Sequence, residues 1–531
     1  MITVCCADAD RPLVNELFEL FKTPFRFHTP GEEARILLHC SGPAPELPAP
    51  PSCVITYSPT AQNDSGQSNP PRAVQFLGHE LPIYGLLRAF SPEDGEPFLV
   101  SRDGVWGVRK MGEETDAFHL GYDLLAELRV LFTDGQPQEW APVPTLDLHI
   151  ALLRECLRAA GVELCEVPPR PHGVSHFVCL THDVDFARLR DHGLDHSTLG
   201  FLHRATVGSF RKWLRRDIPA RYLAANLLAA AKTPLILAGL ARDIWLCFDE
   251  YLGLEDGRPS TYFMIPYKDR PGENVGLDHP ERRAARYDVL SLAPELHKVR
   301  EAGCEIGLHG LDAWRDPAAA QDERQRIAQA SGETPAGVRM HWLCFDEGSP
   351  AVLDRAGFAY DSTCGYNDAV GFRAGTAIVF RPSGTENLLE VPMHIQDMAL
   401  FNSKYMDRNA AQAMDDCMPV ADHVLAHGGV LTLLWHMRSV APERNLGEFY
   451  QELLQILSER ATRFATAADI AAWFRGRRGI IFGDDGDDGA VLLAEGAATQ
   501  GYALLRYPAG ARTAMGQAPA PRETPLQSDV D

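Results

Sequence analysis

The chain has 531 residues, of which 45% are hydrophobic and 23% charged, so it is long and apolar enough for two or three folded domains and is not a disordered chain. Its 72 acidic residues exceed its 50 basic ones, and the net charge of −22 argues against nucleic-acid binding and predicts repulsion from an anionic membrane surface. The 12 cysteines include no C-x-x-C pair and the first residues lack a secretory signal, so we expect a cytoplasmic protein.

The first region of the chain, residues 1–165, alternates apolar segments of strand and helix character and predicts a separate N-terminal α/β domain. Its predicted strands lie at 2–5, 35–40 and 53–57, and its predicted helices at 120–132 and 146–160. The proline-rich stretch 167–171 marks the end of this domain. Residues 166–475 form the second predicted unit, and they contain every candidate catalytic group.

A buried strand is predicted at 176–180, and it runs directly into the polar sequence THDVD at 181–185. Catalytic groups are commonly mounted at strand ends. In an Asp-x-Asp pair such as Asp183 and Asp185, one carboxylate can bind a cation while its neighbour accepts a proton from water. Taken alone, the same run is also typical of an Asp-rich turn that caps a helix.

A helical insertion is predicted at about 186–250, before the next strand at 261–265. Its apolar segment 222–240 is interrupted by Lys232 and Pro234, so we interpret it as a helical hairpin and not as a transmembrane segment. Peripheral contact of this hairpin with a lipid-linked substrate or the bilayer interface stays open as an alternative. The basic residues that precede it are most simply a solvated helix face.

Histidines recur at the ends of later predicted strands, where His309, His341 and His436 each close an apolar segment. Helical segments separate these strands, and repeated strand–helix–strand units predict a parallel sheet or barrel whose C-terminal edge collects the polar side chains. The last region, residues 476–531, predicts a short β-rich extension followed by a disordered tail.

Residues 175–475 resemble the polysaccharide deacetylase family, the NodB-type carbohydrate esterases. THDVD is similar to the family's first motif, Thr-Phe-Asp-Asp, and EIGLHG at 305–310 is similar to the start of its His-x-x-x-His motif, although Ala313 replaces the second histidine. RMHW at 339–342 resembles the Arg-x-Pro-aromatic motif, with histidine in place of proline. The resemblance implies a distorted (β/α) barrel, and the preceding domain is typical of a bacterial two-domain subgroup among cell-surface polysaccharide enzymes.

By this resemblance, Asp185 and His309 are metal ligands. Because the second histidine of the family motif is missing, we hypothesise that His341 supplies the third ligand, with Asp312 and His394 as the alternatives. Two histidines and one carboxylate suit zinc, and also iron or cobalt. The expected cofactor is therefore a divalent metal ion, most simply zinc.

The resemblance also implies catalytic roles. Asp183 corresponds to the base, and Arg339 corresponds to the arginine that holds it. The apolar run 431–435 ends in His436, which corresponds to the general acid, and Asp361 resembles the carboxylate that keeps such a histidine protonated. The candidate substrate contacts are Trp342 and Arg373.

The function implied is metal-dependent hydrolysis of the N-acetyl amide in an amino-sugar-containing polysaccharide or its precursor. Two alternatives stay open. One is a related amidase or deformylase that acts on a small or lipid-linked substrate, and the other is a non-catalytic carbohydrate-binding protein of the same fold. The sequence makes no prediction of the oligomeric state.

Overall fold

The computed structural model describes residues 1–58, 72–273, 279–483, 491–492, 501–517 and 519–526. Two nine-stranded sheets dominate the structure. Helices accompany both sheets, which agrees with the α/β class that the sequence predicts. Within the described residues, no helix combines the length and the apolar character needed to cross a membrane.

The N-terminal sheet is half parallel and half antiparallel. Its strands are β1 (Ile2–Cys5), β2 (Phe25–Phe27), β3 (Ile36–His39), β4 (Cys53–Tyr57), β5 (Arg72–Phe76), β6 (His79–Ile83), β7 (Glu96–Ser101), β8 (Gly104–Met111) and β9 (Asp116–Leu120). They are arranged in the order β2-β1-β3-β4-β9-β8-β7-β5-β6, and the first five are mutually parallel. Three helices accompany the sheet: α1 (Arg11–Phe21), α2 (Leu124–Phe132) and α3 (Thr145–Ala159). A short strand, β10 (Leu164–Glu166), follows them.

The second sheet is parallel throughout. Its strands are β11 (His176–Val184), β12 (Ser260–Met264), β13 (Glu305–Gly310), β14 (Gly337–Met340), β15 (Tyr360–Asp361), β16 (Leu389–Glu390), β17 (Ile395–Gln396), β18 (Val430–Leu434) and β19 (Thr462–Phe464). The order is β16-β15-β14-β13-β12-β11-β18-β17, with β19 paired to β11. Strand β11 is buried along its whole length, as expected for a parallel sheet covered on both faces. The predicted distorted (β/α) barrel is confirmed. Its sheet is curled but open, because no strand ladder joins the end strands β16 and β17 in the described residues.

The insertion after β11 is helical, as predicted, but its hairpin has different limits. It contains α4 (His196–His203), a π-helical turn at Arg204–Gly208, α5 (Ser209–Leu214), α6 (Ala220–Leu237) and α7 (Phe248–Glu255). The segment 222–240 does not fold into a hairpin by itself, because α6 continues through Lys232 and Pro234 and ends one turn later. The hairpin is formed by the α4–α5 run and α6 together.

The remaining helices connect or follow the barrel strands. They are α8 (Ala293–Glu301), α9 (Pro317–Ser331), α10 (Ser349–Arg355), α11 (Asp397–Phe401), α12 (Ala410–His427), α13 (Gly447–Ser458) and α14 (Ala467–Arg478). Four short strands end the chain: β20 (Ile481–Phe482), β21 (Val491–Leu492), β22 (Ala503–Tyr507) and β23 (Arg522–Pro525).

The C-terminal region returns to the N-terminal domain. Strand β22 pairs in antiparallel orientation with β10, and β23 pairs with β22. Trp473 and Tyr502 belong to the same apolar core as Leu153 of α3. The sequence predicted a disordered tail at the end of 476–531. The structure instead describes residues 501–517 and 519–526, which include the paired strands β22 and β23. Residues 518 and 527–531 lie outside the described part.

Candidate active site and metal centre

Five polar side chains meet at the C-terminal edge of the barrel sheet. They follow or end strands β11, β13, β14 and β18, whose parallel arrangement brings their carboxyl ends to one edge. A cavity of about 350 Å³ opens there. Its lining includes Asp183, Asp185, His309, His341 and His436, so the structure brings together the residues that the sequence proposed for the metal and for proton transfer.

Three atoms of this cavity form a compact triangle. Oδ1 of Asp185 lies 3.3 Å from Nε2 of His309 and 3.2 Å from Nδ1 of His341. The two ring nitrogens are 2.9 Å apart. Among the described residues, these three form the one group whose ligand atoms are close enough to hold a metal ion.

The protonation of both imidazoles follows from their outer contacts. Nδ1 of His309 lies 3.0 Å from the carbonyl oxygen of Arg339, and Nε2 of His341 lies 3.1 Å from that of Arg283. A carbonyl oxygen only accepts hydrogen bonds, so each outer nitrogen carries a proton and each ring turns its other nitrogen inward. The two inner nitrogens and a carboxylate oxygen therefore face one another, which is the arrangement expected of ligands to a cation.

The burial of these groups supports the same conclusion. Oδ1 of Asp185 is buried and forms no hydrogen bond within the described structure, which is unfavourable unless a cation is its partner. Burial lowers the pKa of His341 and outweighs the attraction of Asp185. Burial also opposes ionisation of Asp185, but His341, His309 and His436 outweigh it and hold the pKa of that carboxyl well below its ordinary value. The donor set thus fits a divalent metal ion.

Asp183 is held by a buried arginine, as the sequence predicted. Nη1 of Arg339 lies 3.1 Å from Oδ1 of Asp183 and donates a second hydrogen bond to Oγ1 of Thr181 at 2.7 Å. Nε and Nη2 of the same arginine donate to the carbonyl and hydroxyl oxygens of Ser362 at 2.9 and 2.8 Å. The guanidinium is fully buried. Such a fixed geometry directs the second oxygen of Asp183 toward the metal site, 3.6 Å from Nε2 of His309.

The carboxylate next to His436 is Asp397, not the expected Asp361. Nδ1 of His436 lies 2.6 Å from Oδ1 of Asp397, which begins α11 directly after β17. Burial alone lowers the pKa of His436, but the charge and hydrogen bond of Asp397, with smaller effects of Asp185 and Asp183, raise it to about 9. His436 is therefore cationic at neutral pH, and its Nε2 faces Asp185 at 3.8 Å.

Asp361 is excluded from that role by the strand order. It lies on β15, which is separated from β18 by β14, β13, β12 and β11. Its Oδ1 accepts a hydrogen bond from Oγ1 of Thr363 at 2.5 Å. Burial, the largest effect, raises the pKa of Asp361 to about 6. This carboxyl therefore belongs to the packing between β15 and β16.

Three other candidates also lie away from the cavity. Oδ1 of Asp312 accepts a hydrogen bond from the backbone N–H of Glu273 at 2.6 Å, and Nδ1 of the buried His394 accepts one from the backbone N–H of Thr432 at 3.3 Å. Neither residue belongs to the cavity lining. Arg373, the expected substrate contact, donates to the carbonyl oxygens of Gly365 and Asp134 at 2.9 and 3.5 Å. It joins the barrel to the N-terminal domain instead.

Trp342, the other candidate substrate contact, does line the cavity. Both Trp342 and Leu343 have left-handed backbone conformations, with φ of 62° and 53°. Such conformations are unfavourable for bulky side chains and are found most often at functional sites. The turn places Trp342 directly after the candidate ligand His341.

The chain resembles several solved structures, although no protein-family model and no curated protein matches it. One is a putative polysaccharide deacetylase from Mycobacterium smegmatis, at 17% identity over 58% of this chain and 93% of that chain, with a TM-score of 0.37. A probable polysaccharide deacetylase from Pseudomonas aeruginosa has 14% identity over 58% and 94% of the two chains, with a TM-score of 0.37. The Puue allantoinase has 13% identity over 58% of this chain and 92% of that chain, with a TM-score of 0.36. At this level of similarity, the function has to be inferred from the residues of the cavity.

Two arginines on the loop after β18 were missed by the sequence analysis. Arg438 and Arg444 both line the cavity. Nε of Arg438 pairs with Oε1 of Glu443 at 3.2 Å, and its guanidinium lies over the rings of Phe186 and Trp245 at 4.8 and 4.4 Å. The side chain of Arg444 has no ion pair or hydrogen bond within the described part of the chain. No local sequence pattern distinguishes these arginines, because the loop becomes part of the site only when α13 and the insertion pack.

Proposed function

We propose that the chain is a metal-dependent hydrolase that removes N-acetyl groups from amino sugars in a polysaccharide or its precursor. One observation carries this proposal. Three candidate ligand atoms that face one another share a cavity with an arginine-held carboxylate and a carboxylate-held histidine. Metal-assisted hydrolysis of an amide requires these components, namely a metal site, a general base and a general acid.

Asp185, His309 and His341 would hold the metal ion, each through one atom. Zinc suits two histidines and one carboxylate, and iron and cobalt are the alternatives. When bound, the ion supplies a Lewis acid that polarises the scissile carbonyl group and lowers the pKa of water. The outer hydrogen bonds of both histidines, to the carbonyl oxygens of Arg339 and Arg283, fix the ring orientation that this binding needs.

The two proton transfers are assigned to two different residues beside the ligand triangle. Asp183, held in position by Arg339, would accept a proton from the attacking water. His436, kept cationic by Asp397, would donate a proton from Nε2 to the departing amine nitrogen. The leaving group then departs as a neutral amine. Without this proton transfer, the amide bond does not break.

The cavity lining indicates how a sugar would be held. Trp342 and Tyr405 line the cavity with ring surfaces suited to packing against a pyranose. Arg444 contributes a cationic group that no carboxylate of the described chain neutralises. A substrate with a carboxylate or phosphate close to its acetamido group would pair with this guanidinium, so we favour an acidic amino sugar as the substrate class.

A small-molecule amidase is the second candidate, and the size of the cavity favours it. A volume of about 350 Å³ is at the lower end for small-molecule sites. Release of acetate from N-acetylated oligosaccharides, compared with hydrolysis of formamides and cyclic amides, separates the two candidates. A protein that binds metal but hydrolyses none of these substrates would favour the non-catalytic, carbohydrate-binding alternative.

The first experiment is metal analysis of the purified protein by mass spectrometry. Wild-type protein should contain about one metal ion per chain, and Asp185→Ala and His341→Ala should lose it. His394→Ala is the matched control, because His394 is another buried histidine next to a barrel strand, directly before β17, and it should keep the metal. Loss of metal in His394→Ala with retention in His341→Ala would overturn the ligand assignment. Absence of metal from reconstituted wild-type protein would overturn the proposed function.

A further inference from the structure

Exposed apolar side chains are concentrated on the helical hairpin formed by residues 194–240. In the described part of the chain, 17 large apolar residues are exposed, and ten of them lie in this hairpin. Leu214, Leu228 and Leu240 are 61%, 55% and 77% exposed. Isolated exposed apolar residues are normal, whereas a dense group of them marks a contact surface.

These side chains lie on the outer faces of the hairpin. The inner faces are already occupied, because Phe201 and Ala205 of the first arm and Ala229 and Ile236 of the second arm are buried. Nδ2 of Asn226 also donates a hydrogen bond to Oγ of Ser209 at 2.8 Å and so joins the arms. The outer apolar residues follow at intervals close to one or two helical turns: Leu199, Val207, Phe210 and Leu214 on the first arm, and Leu228 and Leu235 on the second.

The hairpin is basic, although the chain as a whole is acidic. Residues 194–240 contain seven lysine and arginine residues and two aspartates, in a chain with a net charge of −22. Five of the basic residues surround the exposed tip: Arg211, Lys212, Arg215, Arg216 and Arg221. Trp213 and Leu214 lie among them and are exposed as well. Basic groups that flank exposed tryptophan, phenylalanine and leucine are typical of helices that lie at an anionic membrane interface.

The base of the hairpin is packed next to the catalytic cavity. The ring of Phe201 contacts the ring of Trp245, with centroids 6.0 Å apart. Trp245 in turn contacts Phe186, with centroids 5.9 Å apart, and Phe186 lines the cavity. A surface that held the hairpin would therefore also hold the cavity in a fixed position relative to itself.

We propose that the hairpin docks on an anionic lipid bilayer, with its outer apolar residues at the interface and its basic tip on lipid phosphates. The acidic remainder of the chain does not prevent this binding, because electrostatic forces act only within about 10 Å of the bilayer surface. The charge near the bilayer is that of the basic hairpin. A symmetric pair of hairpins from two copies would place two basic surfaces together. The bilayer therefore complements both the apolar and the basic groups, and binding does not depend on the catalytic proposal.

The test is sedimentation of the full-length protein with lipid vesicles. Vesicles of phosphatidylcholine with a quarter phosphatidylglycerol should bind the protein, and pure phosphatidylcholine vesicles should bind it at least tenfold more weakly. Lys212→Glu with Arg215→Glu should weaken binding to anionic vesicles by about tenfold or more. Trp213→Ser with Leu214→Ser should have a similar effect.

Matched controls are available on the N-terminal domain. Arg102→Glu with Lys110→Glu makes the same change of charge at two exposed positions on and beside β8, and Met111→Ser removes an apolar side chain that is 62% exposed. Both should bind like wild type. Equal binding to neutral vesicles, equal losses in the controls, or no binding at all would overturn the proposal. So would a concentration-dependent dimer that Leu214→Ser dissociates, because a second copy would then cover the hairpin.

Discussion

His436 contacts Asp397 through both its ring and its backbone. Nδ1 donates to Oδ1 of Asp397 at 2.6 Å, and the backbone N–H donates to Oδ2 at 2.9 Å. Ser439 donates a third hydrogen bond to the same carboxylate. Because the carboxylate is buried and shared in this way, it fixes the imidazole in one orientation and stabilises its protonated form.

Asp397→Asn should therefore remove activity from the alkaline side of the pH profile. The pKa of His436 is raised to about 9, so in wild type the general acid is protonated below that pH and is lost as the pH rises through it. Without the charge of Asp397, burial holds the pKa below the ordinary value of about 6.5. We expect kcat/KM at pH 8 to fall about 30-fold or more, measured on an N-acetylated oligosaccharide over pH 5 to 10.

Asp361→Asn is the control for this measurement. Its carboxyl is buried on β15, with four strands between β15 and β18, so the alkaline limb should stay where it is in wild type. A shift of the alkaline limb in Asp361→Asn, with none in Asp397→Asn, would show that Asp361 is the carboxylate that keeps His436 protonated.

Zinc should stabilise the folded protein through Asp185, His309 and His341. The two inner nitrogens lie 2.9 Å apart, next to a carboxylate oxygen that has no hydrogen bond within the described structure. A ligand present at 100 times its dissociation constant stabilises the folded state by about 2.7 kcal/mol. The melting temperature in zinc should therefore exceed that in a chelator, as measured by calorimetry, and Asp185→Ala should show little or no difference. An equal zinc effect in that variant would place the metal elsewhere.

The sequence predicted the barrel and the polar residues at its C-terminal edge, because both follow from local patterns. A strand end marks Asp183, Asp185, His309, His341 and His436, and strand ends of a parallel sheet meet at one edge. The pairing of Arg339 with Asp183 was implied by the family resemblance, and the structure has the two side chains in contact.

The errors concern contacts that depend on strand order. Asp361 and Asp397 both follow short apolar segments, and the sequence does not show which of them has β18 as its neighbour. In the structure, β17 pairs with β18, so the residue after β17 reaches His436. Arg373 was misplaced for a related reason, because its partner Asp134 belongs to the other domain.

Glu127 should make the stability of the protein depend on pH. Its oxygens accept hydrogen bonds from the backbone N–H groups of Tyr84 and Gly85 at 2.8 and 2.7 Å, but burial is the larger effect and raises its pKa to about 7. The folded state therefore holds the proton more tightly than the unfolded state. The stabilisation from protonation is fully present below about pH 4.5 and is lost as the pH rises through about 7.

Glu127→Gln imitates the protonated form and should remove this part of the pH dependence. Between pH 5 and pH 8, the wild type should lose up to about 3 kcal/mol of unfolding free energy that the variant keeps. Urea unfolding at several pH values measures the difference. If the unfolding free energies of the two proteins changed equally with pH, Glu127 would be ionised in both the folded and unfolded states.

Arg444→Gln should change the choice of substrate more than the rate of the chemical step. The guanidinium lines the cavity and has no carboxylate partner within the described structure, so an acidic sugar would gain a charge-assisted hydrogen bond there that a neutral sugar does not. We expect KM for an N-acetylated uronic acid oligomer to rise about tenfold, with kcat and the KM of a neutral N-acetylglucosamine oligomer little changed. Arg408→Gln is the control, because Arg408 pairs with Asp416 at 2.5 Å and lies outside the cavity lining. Equal losses on both substrates would show that Arg444 supports the loop and not the substrate.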